Sequence, residues 1–494
     1  MIYDFLVSDK LKHRHFLYLA ILVFCITAIN SHGFHHYDEH FQILEFSGLK
    51  LGFNSEKDLA WEYHEKIRSS VQPYTAEVLI RICNFFDIDS PFLQAQVIRV
   101  CTALFMLFCI YMFVESTVDM IPQNYRNLYY IMSYFLCFIP YIAVRFSSET
   151  MGAGFFLIGL ALTLNELKFK NKIRWFYWIL IGLMLGLSYI HRFQIAFFII
   201  GLIVWLIFIQ KIAFKKVALL GVSIILMIGI GIILDSYFYG EFNFSSWNYF
   251  KSNIVNDKAS SFGVSPWYFY FTDLLSLKYL SYLAITLLVL IVIFLIKEPG
   301  SYLFFILVPF IAIHSLIGHK ELRFIFPCMF FIPLAVVQGW IYIKPIFNNL
   351  ILKIIAYIFI TSLIISNVVA LIVFSIIPAN GQPIVYKIIE EHYSKPPVFY
   401  LEDKWADFFE SQALLKMNFY QRNVEGLYKV SLNDVNTLPD GALVLTRVNT
   451  SIDGLPLKEE YKALPLWIIK INKDNWMQIN NADWIIYKKI KSIN

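Results

Sequence analysis

Charge is what this sequence has least of. Of its 494 residues only 16% are Asp, Glu, Lys or Arg, against about 25% in an ordinary soluble chain. That excludes a typical water-soluble globular protein, and a formal net charge of +5 is too small to argue for a nucleic-acid partner. Cysteine is scarce too: there are six. Cys25, Cys101, Cys109, Cys137 and Cys328 lie in apolar runs, and only Cys83 lies in a polar stretch. Neither a disulfide framework nor a CxxC metal signature can be built from them. No small-residue cleavage site follows the first apolar run, FLYLAILVFCITAIN. That run is therefore read as an uncleaved first transmembrane helix. Internal repeats and low-complexity tracts are also missing.

What is present is apolar: 58% hydrophobic residues, 47 Phe and a mean hydropathy of +0.60. The chain reads as a polytopic α-helical membrane protein. Crossing a bilayer takes roughly 20 apolar residues. Runs near 16–31, 97–114, 127–145, 150–165, 175–190, 194–210, 217–234, 278–296, 302–317, 324–343 and 350–377 predict about 11 spans.

The segments between these runs differ in kind. Lys10, Lys12 and Arg14, KFKNKIR (168–174), KIAFKK (211–216), KEP (297–299) and YIKP (342–345) are basic. With the N-terminus in the cytoplasm, all of them fall on the cytoplasmic side. The other side receives HHYDEHFQ (35–42), RFSSE (145–149), HRFQ (191–194), LDSYFYGEF (234–242) and GHKELRF (318–324). These mix acids, Arg, His and Gln at helix ends. Ionisable groups at a membrane edge are costly and usually serve a cavity, so a polar site on the extracytoplasmic face is expected.

Two outer loops are long, 32–96 and 235–277. Val78, Leu79, Ile82, Phe85 and Phe86 recur at helical spacing in the first, which suits a helix lying on the membrane surface. From residue 379 the composition turns polar after PANGQP. VFYLE, ALVLTRV, LWIIKI and DWIIYKKI look like strands and KWADFFESQALLKM like a helix. The expected organisation is a transmembrane catalytic domain over 1–378 and a small extracytoplasmic α/β domain over 379–494.

The chemistry starts from Asp38 and Glu39. Near apolar surroundings a carboxylate becomes a better base at neutral pH. Arg145, Arg192, His319, Lys320 and Arg323 are cations available on the same side, and Arg binds a phosphate through two nitrogens. A base plus cations around a phosphate suffices for a one-step sugar transfer without a metal. His32, His35, His36 and His40 match no standard metal spacing. His32, His36 and His40 are read as interfacial and hydrated. A transporter would favour repeated halves or broken midplane helices, and no duplication is visible.

HYDEHFQ, RFSSE, RFQ, DSYFYGEF, GVSPWYFY and HKELRF, in this order over residues 35 to 324, resemble glycosyltransferase family 22. These are polyprenyl-phosphate-mannose-dependent mannosyltransferases of the GT-C fold. The resemblance implies an inverting transfer of a sugar, mannose above all. The donor would be a polyprenyl phosphate, the acceptor a lipid-linked glycan, and the place the non-cytoplasmic face, with no metal and no other cofactor. It makes Asp38 the base and Glu39 its partner or a helix-cap acid. It assigns Lys320, Arg323, His319, Arg192 and Arg145 to the donor phosphate. Substrate contacts are expected from His35, Gln42, Glu149, Gln194, Asp235, Tyr239 and Glu321. The sequence departs from the family's usual pattern at Tyr37, where many members have Pro. The Cys-His-x-Thr-Pro-Tyr-Tyr-Ser segment of the GPI branch is also absent, where PANGQPIVYKIIEEHY stands instead. Its Ile, Lys and Asn content suggests a bacterial cell membrane and an undecaprenyl carrier, with the endoplasmic reticulum and dolichol as the alternative. A lipid-glycan flippase and a non-catalytic polyprenyl-lipid-binding subunit are the rival readings.

Overall fold

Each apolar run folds as helix in the computed structural model, which describes residues 12–168, 174–401, 417–422, 424–448, 450–472 and 484–491. Six helices are long and apolar enough to cross a membrane: His13–Asn30, Pro91–Met120, Ser148–Leu167, Phe214–Tyr239, Lys278–Lys297 and Leu350–Ile376. A seventh is a bent pair, Leu322–Met329 with Ile332–Ile346, turning through 69°. Trp175–His191, Phe193–Phe208 and Tyr302–Leu316 are shorter apolar helices. The expected eleven runs are thus all helical among the described residues, but fewer are full-length straight spans.

Proline explains two of the interruptions. Pro333 has no N–H to give the carbonyl four residues back, at Met329, so the helix turns there. Pro140 likewise cannot donate to Leu136 O, which takes Ile139 N at 2.8 Å instead, and the run expected over 127–145 splits into Arg126–Phe135 and Phe138–Ala143. Asn367 fills that break: its side chain donates to Phe135 O at 2.8 Å and accepts from Cys137 N at 2.9 Å. Backbone groups freed within lipid need such a partner.

By its internal contacts the chain divides into two units. One comprises 1–27, 66–72 and 100–375, the other 28–65, 73–99 and 376–494. The first long loop thus groups largely with the C-terminal region. In the first unit, Trp175–His191 packs against both Ser148–Leu167 and Phe214–Tyr239. A Cβ on Gly182 would lie 2.6 Å from Leu220 O, and one on Gly201 would lie 2.0 Å from Phe305 O. Backbones approach that closely only where the side chain is a hydrogen.

The second unit carries a five-stranded sheet: β1 (Pro397–Leu401), β2 (Gly426–Val430), β3 (Leu443–Arg447), β4 (Leu457–Lys462) and β5 (Trp484–Lys489). The order is β2-β1-β3-β5-β4. β1 runs parallel to β2 and β3, whereas β5 is antiparallel to β3 and β4. Leu401, Val430, Val435, Leu438, Val444 and Ile485 form its core on one side. LWIIKI, expected as a strand, is instead the helix Leu466–Ile471, which starts just after Pro465; proline is pre-organised for a helix start. KWADFFESQALLKM falls almost wholly outside the described residues. Helix Val71–Phe85 forms as the periodicity predicts and leaves Val78, Ile82 and Phe85 exposed.

Candidate active site

Asp38 opens a continuous helical stretch, Tyr37–Glu39, His40–Leu44 and Glu45–Leu51, whose middle part is a π-turn. π-turns recur at functional sites because they re-aim side chains. His36 caps the stretch: its Nδ1 accepts from Asp38 N at 3.3 Å and lies 3.4 Å from Asp38 Oδ1. The Glu39 carboxylate accepts from His36 N at 3.3 Å, closing a capping box. Asp38 is therefore half-buried and held at a helix start. Glu39 has the geometry of a cap acid. His35 is half-buried in the turn before it.

Two residues of this region depart from a hydrated membrane edge. His40 is fully buried, stacked on Tyr420 at 5.3 Å and lying near Phe34 at 5.4 Å. Its Nε2 lies 2.8 Å from Glu45 Oε1. The expectation of an interfacial, hydrated His40 is corrected by this aromatic enclosure. Glu45, equally buried, accepts from Phe419 N and from the Asn54 side chain, each at 2.9 Å. Gln42 donates to Glu62 at 2.8 Å inside the same unit.

The other unit gathers a charged cluster from separate helix ends. Ser147 caps helix Ser148–Leu167 and places Glu149 in its first turn. Glu149 Oε1 lies 3.1 Å from Arg192 Nη1 and 3.3 Å from Arg323 Nη1. Arg192 also donates to Ser148 Oγ at 3.3 Å. Arg323 Nε is bonded to Glu321, whose other oxygen lies 2.8 Å from His319 Nε2. Glu149, Arg192 and Arg323 are all buried. Arg192 Nη2 has no hydrogen-bond partner among the described residues.

Lys320 belongs to the same block but is engaged differently. Its ammonium donates to Ser265 O at 2.7 Å, Ile317 O at 2.5 Å and Gly318 O at 3.4 Å. Burial pushes its pKa below the ordinary lysine value. Together with Ser265 N→Gly318 O at 2.9 Å and His319 Nδ1 to Gly263 O at 3.1 Å, it fastens residues 263–265 to 317–320.

The remaining expected residues are placed as follows. Arg145 is buried with its guanidinium 4.9 Å over the Tyr141 ring. Gln194 donates to Tyr249 Oη at 2.6 Å. Asp235 accepts from both Ser70 N and Ser70 Oγ at 2.7 Å, and Tyr239 donates to Arg68 O at 2.8 Å. The last two hold the 66–70 segment. Glu45 and His314 were not singled out from the sequence. Each is an ionisable residue in an otherwise apolar stretch, a signal that by itself marks a working residue in a membrane protein.

Residues 15–401 match the model of the Alg9-like mannosyltransferase family. The chain belongs to this family. A Schizosaccharomyces pombe relative, provisionally named a Dol-P-Man:Man(7)GlcNAc(2)-PP-Dol alpha-1,6-mannosyltransferase, is 33% identical over 34% of this chain and 30% of its own length. A zebrafish (Danio rerio) relative, GPI alpha-1,2-mannosyltransferase 3, is 27% identical over 61% of this chain and 56% of its own. The match thus spans between about a third and little more than half of these relatives. The crystal structure of ArnT from Cupriavidus metallidurans bound to undecaprenyl phosphate superposes with a TM-score of 0.52 at 11% identity, covering 97% of this chain and 98% of that one. This Alg9-like chain is a multi-pass membrane protein with the GT-C fold.

Proposed function

We propose that the protein transfers mannose from a polyprenyl phosphate to a hydroxyl of a lipid-linked glycan, with inversion, at the non-cytoplasmic face of its membrane. Asp38 removes the proton of the acceptor hydroxyl. That oxygen attacks the anomeric carbon from the face opposite the phosphate, and the carbon–oxygen bond to phosphate breaks. The bonding pair stays on the phosphate, whose charge rises from one negative to two.

The observation that carries this reading is the pair of buried arginines that share Glu149. Arg192 and Arg323 share Glu149, and Arg323 also pairs with Glu321. Guanidinium groups preorganised in a dry site stabilise the charge that develops on the leaving phosphate. Arg192 and Arg323 are the phosphate contacts, and Arg145 and His319 are further cations for it. Lys320 sets the local field while its own donors hold carbonyls. His35, Gln42, Gln194 and Glu321 shape the substrate surface. The Ile, Lys and Asn content favours a bacterial cell membrane and an undecaprenyl carrier.

The test uses purified protein in nanodiscs with polyprenyl-phosphate mannose and a pool of extracted membrane glycolipids. Wild type transfers mannose, with or without EDTA. Asp38→Asn binds the donor and transfers nothing. Transfer by Asp38→Asn at the wild-type rate would remove Asp38 as the base. Donor binding without transfer by either protein, to any glycolipid in the pool, would favour a lipid-binding subunit.

A further inference from the structure

Residues 262–275 present a run of apolar side chains on the outside of the protein. Phe262, Val264, Trp267, Tyr268, Phe271 and Leu275 are exposed, Val264 at 69% and Trp267 at 65%. Trp267, Phe271 and Leu275 recur every four residues along helix Phe269–Ser276 and the turn that leads into it, so they share one face. Tyr270 is the buried residue of that helix. A single exposed apolar residue is ordinary, whereas a contiguous set marks an interaction surface.

The course of the chain says what covers it. Helix Phe269–Ser276 runs through the turn Lys278–Leu280 into Ser281–Lys297, part of a helix long and apolar enough to cross the membrane. The apolar face thus lies within a few residues of the point where the chain enters the bilayer. Trp and Tyr concentrate at that depth, with the ring in lipid and the polar edge in water. A short amphipathic helix there buries its apolar face among headgroups and upper acyl chains.

The same segment is fastened to the charged block. Three contacts hold Gly263–Ser265: Lys320 Nζ to Ser265 O at 2.7 Å, Ser265 N to Gly318 O at 2.9 Å, and His319 Nδ1 to Gly263 O at 3.1 Å. Gly263 has a φ of +106°, a conformation open to glycine, which lets the chain turn there. Lys320 has three donors, and the carbonyls of Ser265, Ile317 and Gly318 take them. Arg323 follows three residues later and pairs with Glu149.

We propose that residues 262–275 are a strap seated in the lipid surface, and that Lys320 ties the turn leading to Arg323 to it. The charged cluster is thereby held at the depth of the lipid headgroups, and Lys320 is a positioning residue. This surface does not depend on the mannosyl-transfer reading.

The experiment uses full-length protein in nanodiscs. The emission of Trp267 is the difference between wild type and Trp267→Phe. Lipids brominated high on the acyl chain remove about half of that emission or more, and aqueous iodide removes little. Hydrogen exchange then compares wild type with Lys320→Met. Exchange in the peptide containing Ser265 speeds up by about tenfold, the size of one hydrogen bond, while helix Ser148–Leu167 exchanges as in wild type. Quenching by iodide and not by lipid would overturn the lipid seat. Protection from both quenchers would overturn it too, since another protein surface would then cover the face. Unchanged exchange, or equal acceleration throughout the chain, would overturn the tie. Trp267→Phe alters only an exposed residue, so the quenching still decides the lipid seat if Lys320→Met does not fold.

Discussion

Glu149 Oε1 lies 3.1 Å from Arg192 Nη1, and both residues are nearly inaccessible to solvent, at 2% and 4%. Neither charge could be buried alone, since an isolated ion in an apolar interior costs several kcal/mol. The pair also gives Arg192 a fixed direction, so the guanidinium is oriented before any ligand arrives.

Replacing Glu149 by Gln leaves Arg192 and Arg323 facing each other without their shared counter-charge. Removing one partner of a buried pair costs about 3–5 kcal/mol. The expected result is a clear fall in melting temperature in detergent. Undecaprenyl phosphate, by supplying a negative charge, recovers more of the lost stability in the variant than it adds to wild type. Thermal unfolding with and without that lipid checks this; identical lipid-induced shifts in the two proteins would speak against an anion at the arginine pair.

Glu45 sets a second test, within the other unit. Its carboxylate takes hydrogen bonds from Phe419 N and Asn54 and faces His40. Glu45→Ala leaves buried donors unmade, at about 1–3 kcal/mol for each unsatisfied group. The segment around Phe419 should then be cut faster by protease than in wild type. Unchanged cleavage there would mean that Glu45 does not hold it.

A third test separates close packing from helix propensity. Gly201→Ala places a methyl within 2.0 Å of Phe305 O, a contact with backbone that cannot swing away. Gly221 has no neighbouring atom within 4 Å of the position its Cβ would take. Gly201→Ala should lower the melting temperature by several degrees. Gly221→Ala should leave it unchanged or raise it, because alanine is worth up to about 1 kcal/mol over glycine inside a helix. Thermal unfolding of both variants checks the contrast.

Asn367 gives a fourth. Replacing it with Leu keeps the helix apolar but strands Phe135 O and Cys137 N at the break they flank. The variant should lose stability by about 0.6–2 kcal/mol, the range of interhelical hydrogen bonds in membranes. Asn367→Gln, which keeps the amide on a longer arm, should recover only part of it.

How much was legible follows from the reach of each signal. The apolar runs and their basic flanks are local, and burial in lipid demands a run of apolar residues whatever its neighbours do; the helices were therefore readable. The blocks HYDEHFQ, RFSSE, HRFQ and HKELRF were readable for the same reason, because acids and guanidinium groups next to apolar helices must be compensated. Sequence alone determined a multi-pass membrane protein and marked the charged helix-end blocks from which a site is expected. It could not determine partners. That Glu149 serves both Arg192 and Arg323, that Lys320 spends its donors on three carbonyls, and that Glu45 reaches Phe419 are contacts between residues up to hundreds apart in the chain. Strand or helix in LWIIKI, and straight or broken in 127–145, were also settled by tertiary context, since a short apolar run fits either and Asn367 pairs backbone groups at the break. Hydrogen bonds act over about 3 Å, and only the folded chain decides which side chains come that close.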